Sequence, residues 1–150
     1  MIALLSIKPE YADLIFSGEK RFEYRKKVFS KEEIKRIVVY ASSPLKKLIG
    51  EFEIGKIIRD TPESIWRKTA DHAGIERKNF FKYFEGKNEG YAISIKRIIR
   101  YKTPINPKTV FPGFVPPQSF RYIRQNESAV LGIGALYLQT FLSDLSERNE

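Results

Sequence analysis

The order of apolar and polar residues predicts a sheet of short strands with helices packed on it. Residues 2–7 have the continuous apolar run of a buried strand, and apolar residues alternate or predominate in further segments. The predicted strands are residues 2–7, 20–27, 36–41, 47–58 and 91–101, with a turn or short strand at 116–122. The pattern therefore predicts an α+β fold with a mixed, strongly twisted sheet of about five or six strands.

Capping residues and glycines delimit the predicted helices. Pro9 can occupy a first helical turn, and Gly18 can end that helix as a left-handed cap. Thr61 and Pro62 predict the start of a second helix that reaches about residue 73, and residues 76–84 predict a third. Residues 30–33 have the form of a capping box and predict a single helical turn, whereas residues 102–117 are rich in proline and are predicted to be extended.

The last 26 residues differ in character from the rest. Apolar residues at helical spacing predict a helix over 128–142, and the polar end 143–150 is expected to fray. The stripe consists of Val130, Ile133, Leu136, Tyr137 and Phe141. We therefore divide the chain into a domain of residues 1–124 and a helical extension of residues 125–150. The stripe must dock either on its own domain or on a second subunit, so a homodimer through this helix is one prediction.

Composition narrows the class of protein. The chain has 150 residues, which is typical of one domain, and it contains no run of apolar residues near the ~20 that a membrane helix needs. With no cysteine there is no disulfide and no thiolate metal site, and the start has no signal-peptide pattern, so we expect a cytoplasmic protein. A net charge of +9 favours a polyanionic partner, most often nucleic acid, although a generally basic surface explains it equally well.

Residues 18–25 contain the charged cluster on which the functional prediction depends. Alternate residues of a strand point to the same face, so Glu23 and Arg25 lie together, and Lys20 beside the glycine turn can bend toward them. Two cations are expected to hold the pKa of Glu23 low and make it a weak base. Arg25 is expected to keep donors for a phosphate or a base edge. The alternative is an ordinary ion-pair ladder on a solvated surface.

The pattern G-x-K-x-x-E-x-R in this segment, preceded by residues 4–12, resembles the ASCH domain family, which is related to the PUA fold. The resemblance extends to three further blocks of the sequence and fades after Arg124. These blocks are residues 40–44, 50–52 and 116–122. It implies a β-barrel-like domain flanked by short helices, with a cleft that binds RNA or a modified nucleotide.

The resemblance also implies which residues belong to the cleft. It places the charged cluster there with the end of the first strand, the serines before Pro44 and the segment after Pro117. The predicted ligand-binding residues are Ser6, Lys8, Lys20, Glu23, Arg25, Ser42, Ser43, Ser119 and Arg121. Phe120 is expected to be buried beside them. The alternative for Ser42 and Ser43 is plain turn chemistry.

Enzymatic activity stays open at this point. Related amidohydrolases, which deacetylate modified cytidine, have a nucleophilic threonine where this chain has Glu23, so the acyl acceptor is missing here. Lys20 and Glu23 remain the candidate catalytic residues. The sequence has no pattern that predicts a metal ion or a cofactor.

Three functions are consistent with the sequence. The first is a nucleic-acid-binding module for RNA or a modified nucleotide, with or without a regulatory role. The second is a hydrolase, either an amidohydrolase or a ribonuclease, that uses the same cleft. The third is a transcriptional regulator that binds a small ligand and signals through its C-terminal helix, although no helix-turn-helix pattern is present.

Overall fold

The computed structural model describes residues 2–30 and 33–124. These residues form one mixed six-stranded sheet with three short helices, so the α+β prediction is confirmed. The strands are β1 (Ile2–Ile7), β2 (Phe22–Arg25), β3 (Arg36–Ala41), β4 (Lys47–Asp60), β5 (Gly90–Ile105) and β6 (Phe120–Ile123). The helices are α1 (Pro9–Ser17), α2 (Pro62–Thr69) and α3 (Arg77–Tyr83), and two short 3-10 turns follow α2 and β5.

The two ends of α1 and the start of α2 follow the predicted caps, whereas α2 ends at Thr69, short of the predicted residue 73, and a 3-10 turn over Ala70–His72 follows it. Pro9 opens α1, and Gly18 ends it in the left-handed conformation with φ of 87°. The side chain of Thr61 accepts a hydrogen bond from the amide of Ser64 and caps α2. The predicted helix at 128–142 lies outside the described residues, and the predicted turn at 30–33 lies partly outside them. The dimer and the domain boundary at residue 124 therefore stay predictions.

The strand order is β2-β5-β4-β3-β1-β6. β1 pairs in parallel with β3, and the other neighbours pair antiparallel. A closed barrel would require β2 to pair with β6. No such pairing forms within the described residues, so the sheet is open, which corrects the predicted barrel. Both edge strands have only four residues.

Side chains bridge the opening between the two edge strands. Arg25 of β2 donates a hydrogen bond to the carbonyl of Ser119, directly before β6. The hydroxyl of Tyr122 in β6 accepts a hydrogen bond of 3.2 Å from the amide of Ser30. The rings of Phe29 and Phe120 meet edge to face at 5.8 Å. The sheet is thus held near closure by side chains where backbone pairing is missing.

Three apolar clusters fill the domain. One lies between α1 and one face of the sheet and contains alternate residues of β1 and β3. A second lies on the opposite face, where residues 107–114 cover it. The third packs α2 and α3 against β2 and β5. The charged cluster lies where α1, β2 and α3 meet, at the carboxyl end of β1.

Candidate functional site

A cavity of about 560 Å³ opens at the carboxyl end of β1, between α1, β2 and α3. We call it the main cavity. Its volume is within the range of small-ligand sites. The lining includes five cationic and two acidic side chains: Lys8, Lys20, Arg25, Lys26, Lys82, Glu10 and Glu23. An excess of positive charge in a concave site favours an anionic ligand.

Lys20 is almost completely buried, with 3% of its surface exposed. Its Nζ donates a hydrogen bond of 2.7 Å to the carbonyl of Ala73 and lies 4.6 Å from the ring centroid of Tyr24. Burial lowers the pKa of Lys20, and the charge of Glu23 opposes that shift. A buried ammonium group with a lowered pKa gives up its proton more readily than a solvated lysine does.

The fold makes room for Lys20 with a glycine from a distant segment. Gly74 has a φ of +62°, and its Cα lies against the side-chain stem of Lys20. A Cβ at position 74 would lie 2.4 Å from the Cβ of Lys20, which no real structure accommodates without movement. The amide of Arg21 also donates to the carbonyl of His72, at 2.9 Å. The turn after α2 therefore fixes the entrance of β2.

Glu23 faces the cavity with only 7% of its surface exposed. Its nearest ionic partner is Arg25, at 3.7 Å, and no hydrogen bond to its carboxylate forms within the described part of the chain. Burial raises the pKa of Glu23, although Lys20 and Arg25 act in the opposite direction. The expectation of a lowered pKa is wrong, because it counted the two cations and not the loss of solvent.

Arg25 is held at the back of the cavity. Its guanidinium donates to the carbonyl of Ser6 at 3.5 Å and to the carbonyl of Ser119, and 13% of its side chain is exposed. Part of its donor capacity therefore stabilises the seam between β2 and β6. The Nη1 atom that contacts Ser6 also lies 3.7 Å from Oε1 of Glu23, and Arg25 lines the cavity.

Three tyrosines complete the wall, and burial raises the pKa of each. Burial raises the pKa of Tyr24 to about 12, and its hydroxyl shares a hydrogen bond of 2.7 Å with the hydroxyl of Thr69. Tyr83 accepts a hydrogen bond from the amide of Lys26, whose Nζ lies 4.6 Å from the Tyr83 ring centroid. Tyr11 lies on α1 beside Lys20. All three phenols are neutral at physiological pH.

The structure brings together some of the predicted residues. Ser6, Lys8, Lys20, Glu23 and Arg25 line the main cavity. Ser119 lies next to it through the carbonyl that Arg25 contacts.

The remaining predicted residues lie elsewhere. Ser42 and Ser43 form the turn after β3, where the amide of Ser42 donates to the carbonyl of Ile7 at 2.9 Å, and they do not line the cavity. Arg121 stacks over the ring of Phe111 at 4.4 Å, on the opposite face of the sheet. The structure does not bring Arg121 to the main cavity, because alternation along β6 turns Phe120 toward the cavity-side core and Arg121 to the other face.

Several lining residues do not stand out in the sequence. Helical spacing places Tyr11 with the apolar residues of α1, and Tyr83 lies among the aromatic residues of α3. Asn79 and Lys82 also line the cavity, and their spacing of three residues places them on the same face of α3. That polar pair, interleaved with Phe80, Phe81 and Tyr83, is the signal that the sequence offers.

The described residues contain no group of three or more His, Cys, Asp or Glu side chains that could hold a metal ion. Among them there is also no helix with the length and apolar character that crossing a membrane requires.

The fold and the site together define a small α+β domain with a basic cavity beside the first strand. The family model of the ASCH domain matches residues 5–103, and the chain belongs to this family. An ASCH domain-containing ribonuclease of Zymomonas mobilis is 30% identical over 135 residues, which are 86% of this chain and 88% of that protein.

The chain is also similar to a solved structure and to a ribosomal protein. The crystal structure of ASCH from Zymomonas mobilis superposes with a TM-score of 0.78 at 29% identity, covering 87% of this chain and 92% of that one. The large ribosomal subunit protein uL22 of Ureaplasma parvum is 28% identical over 123 residues, which are 81% of this chain and 39% of that protein.

Proposed function

We propose that this ASCH protein binds single-stranded RNA by taking one nucleotide unit into the main cavity. The observation that carries the proposal is the combination of five cations with three tyrosine rings in one cavity of about 560 Å³. Lysine and arginine supply the charge that phosphates require, and aromatic walls offer contact to an unstacked base. The relative named as a ribonuclease supports RNA as the polymer.

The rim of the cavity offers a test that leaves the buried residues intact. Lys8 and Lys82 are exposed and line the cavity, so replacing both with glutamine removes two charges without opening the core. The matched control replaces Lys56 and Lys96, which are exposed on the β4–β5 ribbon outside the cavity. We expect the rim variant to weaken binding of a 2′-O-methyl oligouridine decamer far more than the control does.

Salt provides the second measurement. Removing one cation that neutralises a phosphate of a single strand flattens the plot of log affinity against log salt concentration by about 0.7. The slope of the rim variant should therefore be shallower by about 1.4 if both lysines bind phosphates. Equal affinity and slope in the two double variants, or no binding by the unaltered protein, would contradict the proposal.

A second candidate function is cleavage of the bound RNA, and the Lys20–Glu23 arrangement favours it. The pKa values of the two groups are shifted in opposite directions by burial, the pattern expected of a general acid and a general base. Glu23 would take the proton of a ribose 2′-hydroxyl, and the O2′ atom would form a bond to the adjacent phosphorus. The P–O5′ bond would break as Lys20 protonates the leaving oxygen.

Arg25 is placed to stabilise the charge that develops on the phosphate in this reaction. The products are a 2′,3′-cyclic phosphate and a free 5′-hydroxyl, and solvent restores both protonation states. We expect Glu23→Gln to bind the RNA and to cleave at least 100-fold more slowly, since general-base catalysis contributes roughly 10²–10⁴-fold. Unchanged cleavage by Glu23→Gln would exclude this assignment and leave RNA binding untouched.

A further inference from the structure

A second groove of about 480 Å³ lies between the β3–β4 turn and the segment that connects β5 with β6. It lies on the sheet face opposite the α1 core, over the cluster that contains Tyr40 and Phe111. The lining includes three lysines and three aromatic or apolar side chains: Lys46, Lys47, Lys108, Tyr40, Phe114 and Val115. We call it the second groove.

The charged side chains that line the second groove in the described part of the chain are all positive, and no Asp or Glu is among them. The ammonium groups of Lys46, Lys47 and Lys108 form no ion pair or hydrogen bond with any described residue, so three like charges lie together without a carboxylate partner among residues 2–30 and 33–124. Such a cluster opposes folding by repulsion, and a polyanion relieves that repulsion on binding.

Backbone conformation and packing position the lysines of the second groove and its apolar wall, which consists of Tyr40, Phe114 and Val115. Lys46 has a φ of 54°, a left-handed conformation that a lysine rarely adopts, at the tip of the β3–β4 turn. The side chain of Asn106 accepts a hydrogen bond of 3.0 Å from the amide of Lys108. Phe114 packs on Tyr40 at 5.1 Å, and the neighbouring Val115 is 75% exposed. A base could stack on this wall while the lysines bind phosphates.

The second groove and the main cavity are neighbours at one end of the sheet. Ser6 lines the main cavity, and its partner in the parallel β1–β3 pair is Tyr40, which lines the second groove. Adjacent strands lie only about 4.8 Å apart. Pro116 lines the second groove, and a short way along the chain the carbonyl of Ser119 accepts from Arg25 of the main cavity. An RNA strand that occupied both depressions would pass around this end of the sheet, beside Ser6 and Tyr40.

We propose that the second groove is a second subsite for single-stranded RNA, in which the three lysines bind phosphates of nucleotides adjacent to the one in the main cavity. The inference rests on the proposed RNA binding and extends it. The chain would then recognise a segment of several nucleotides rather than an isolated nucleotide.

The test compares ligand lengths on two triple variants of the full chain. In one variant Lys46, Lys47 and Lys108 become glutamine. In the control the same change is made at Lys56, Lys87 and Lys96, which are exposed and lie outside both depressions. The probes are 2′-O-methyl oligouridines of two and ten nucleotides, and thermal melting verifies that all three proteins are folded.

The groove variant should bind the dinucleotide as the unaltered protein does and bind the decamer much more weakly. Removing three phosphate-binding cations flattens the plot of log affinity against log salt concentration by about 2. If the two proteins bind equally at 1 M salt, the groove variant should therefore bind the decamer roughly 100-fold more weakly than the unaltered protein at 0.1 M salt. The control variant should be affected much less, because its charges act only at long range.

Three outcomes would overturn the inference while leaving the proposed function in place. These are equally weakened decamer binding in the two triple variants, unchanged decamer binding in the groove variant, and an unaltered protein that binds the decamer no tighter than the dinucleotide. Failure of the unaltered protein to bind either probe would instead refute the proposed RNA binding itself.

Discussion

Arg25 is expected to stabilise the fold as well as the site, and Arg25→Ala measures how much. The guanidinium links β2 to the carbonyls of Ser6 and Ser119, across the edge where the sheet is open. A hydrogen bond to a charged group contributes roughly 1.5–3 kcal/mol. The bond to Ser119 falls in this class, whereas the 3.5 Å bond to Ser6 is at the limit of hydrogen bonding and contributes little.

The variant also leaves Glu23 buried without its nearest cation. We therefore expect Arg25→Ala to lower the free energy of unfolding by about 2–4 kcal/mol, because it removes the bond to Ser119 and leaves the carboxylate unpaired. For a chain of this size that is a decrease in melting temperature of roughly 5–15 °C. The expectation differs from what the sequence alone suggests, since a purely ligand-binding arginine could be removed without cost to the fold.

Urea unfolding at pH 7, followed by the fluorescence of Trp66, is the assay. Arg21→Ala is the matched control, because Arg21 is exposed directly before the same strand and its side chain forms no such bridge in the described chain. Arg21→Ala should change the unfolding free energy by less than about 0.5 kcal/mol. Arg25→Lys should recover only part of the stability, since an ammonium group cannot span both carbonyls. Equal stability of the two alanine variants would refute the bridging role of Arg25.

Two further predictions concern the residues around Arg25. Gly74→Ala places a methyl group against Lys20 at a position with positive φ. We expect this variant to melt at a clearly lower temperature than Gly86→Ala, because Gly86 has a φ of +78° but open space around it. Equal melting temperatures of the two variants would show that the contact with Lys20 costs no stability. Because the folded state raises the pKa of Glu23, protonated Glu23 favours the folded state. Its contribution to stability is therefore greatest at pH values below its usual pKa of 4.5 and decreases as the pH rises through the folded-state pKa. Stability of the unaltered protein relative to Glu23→Gln should therefore fall with rising pH above about 4.5 in urea titrations, and a constant difference would contradict the assigned shift.

Much of the fold could be predicted from the sequence because the relevant information is local. Pro9 and Gly18 set the ends of α1, and the two-residue period of β2 places Glu23 and Arg25 on one face. The open edge was not predictable in this way. Whether β2 reaches β6 depends on strand length and on contacts between segments 94 residues apart, such as that of Arg25 with Ser119.

The environment of the site depended on long-range packing as well. Lys20 is buried because Ala73 supplies a carbonyl and Gly74 supplies space, and neither is near it in sequence. The pKa of Glu23 follows from that burial, which cannot be inferred from neighbouring charges alone. Arg121 lies on the opposite face of the sheet, where its guanidinium is 4.4 Å from the ring centroid of Phe111.

Amide chemical-shift mapping tests the central claim, that RNA enters the main cavity, most directly. A uniformly ¹⁵N-labelled chain is titrated with a 2′-O-methyl oligouridine decamer at low salt. We predict that the largest shifts come from residues 6–8, 20–26 and 75–83, which border the cavity, with changes at 44–47 and 106–116 if the second groove is also occupied. Shifts confined to the exposed β4–β5 ribbon, with the amides of the main cavity unchanged, would contradict the account.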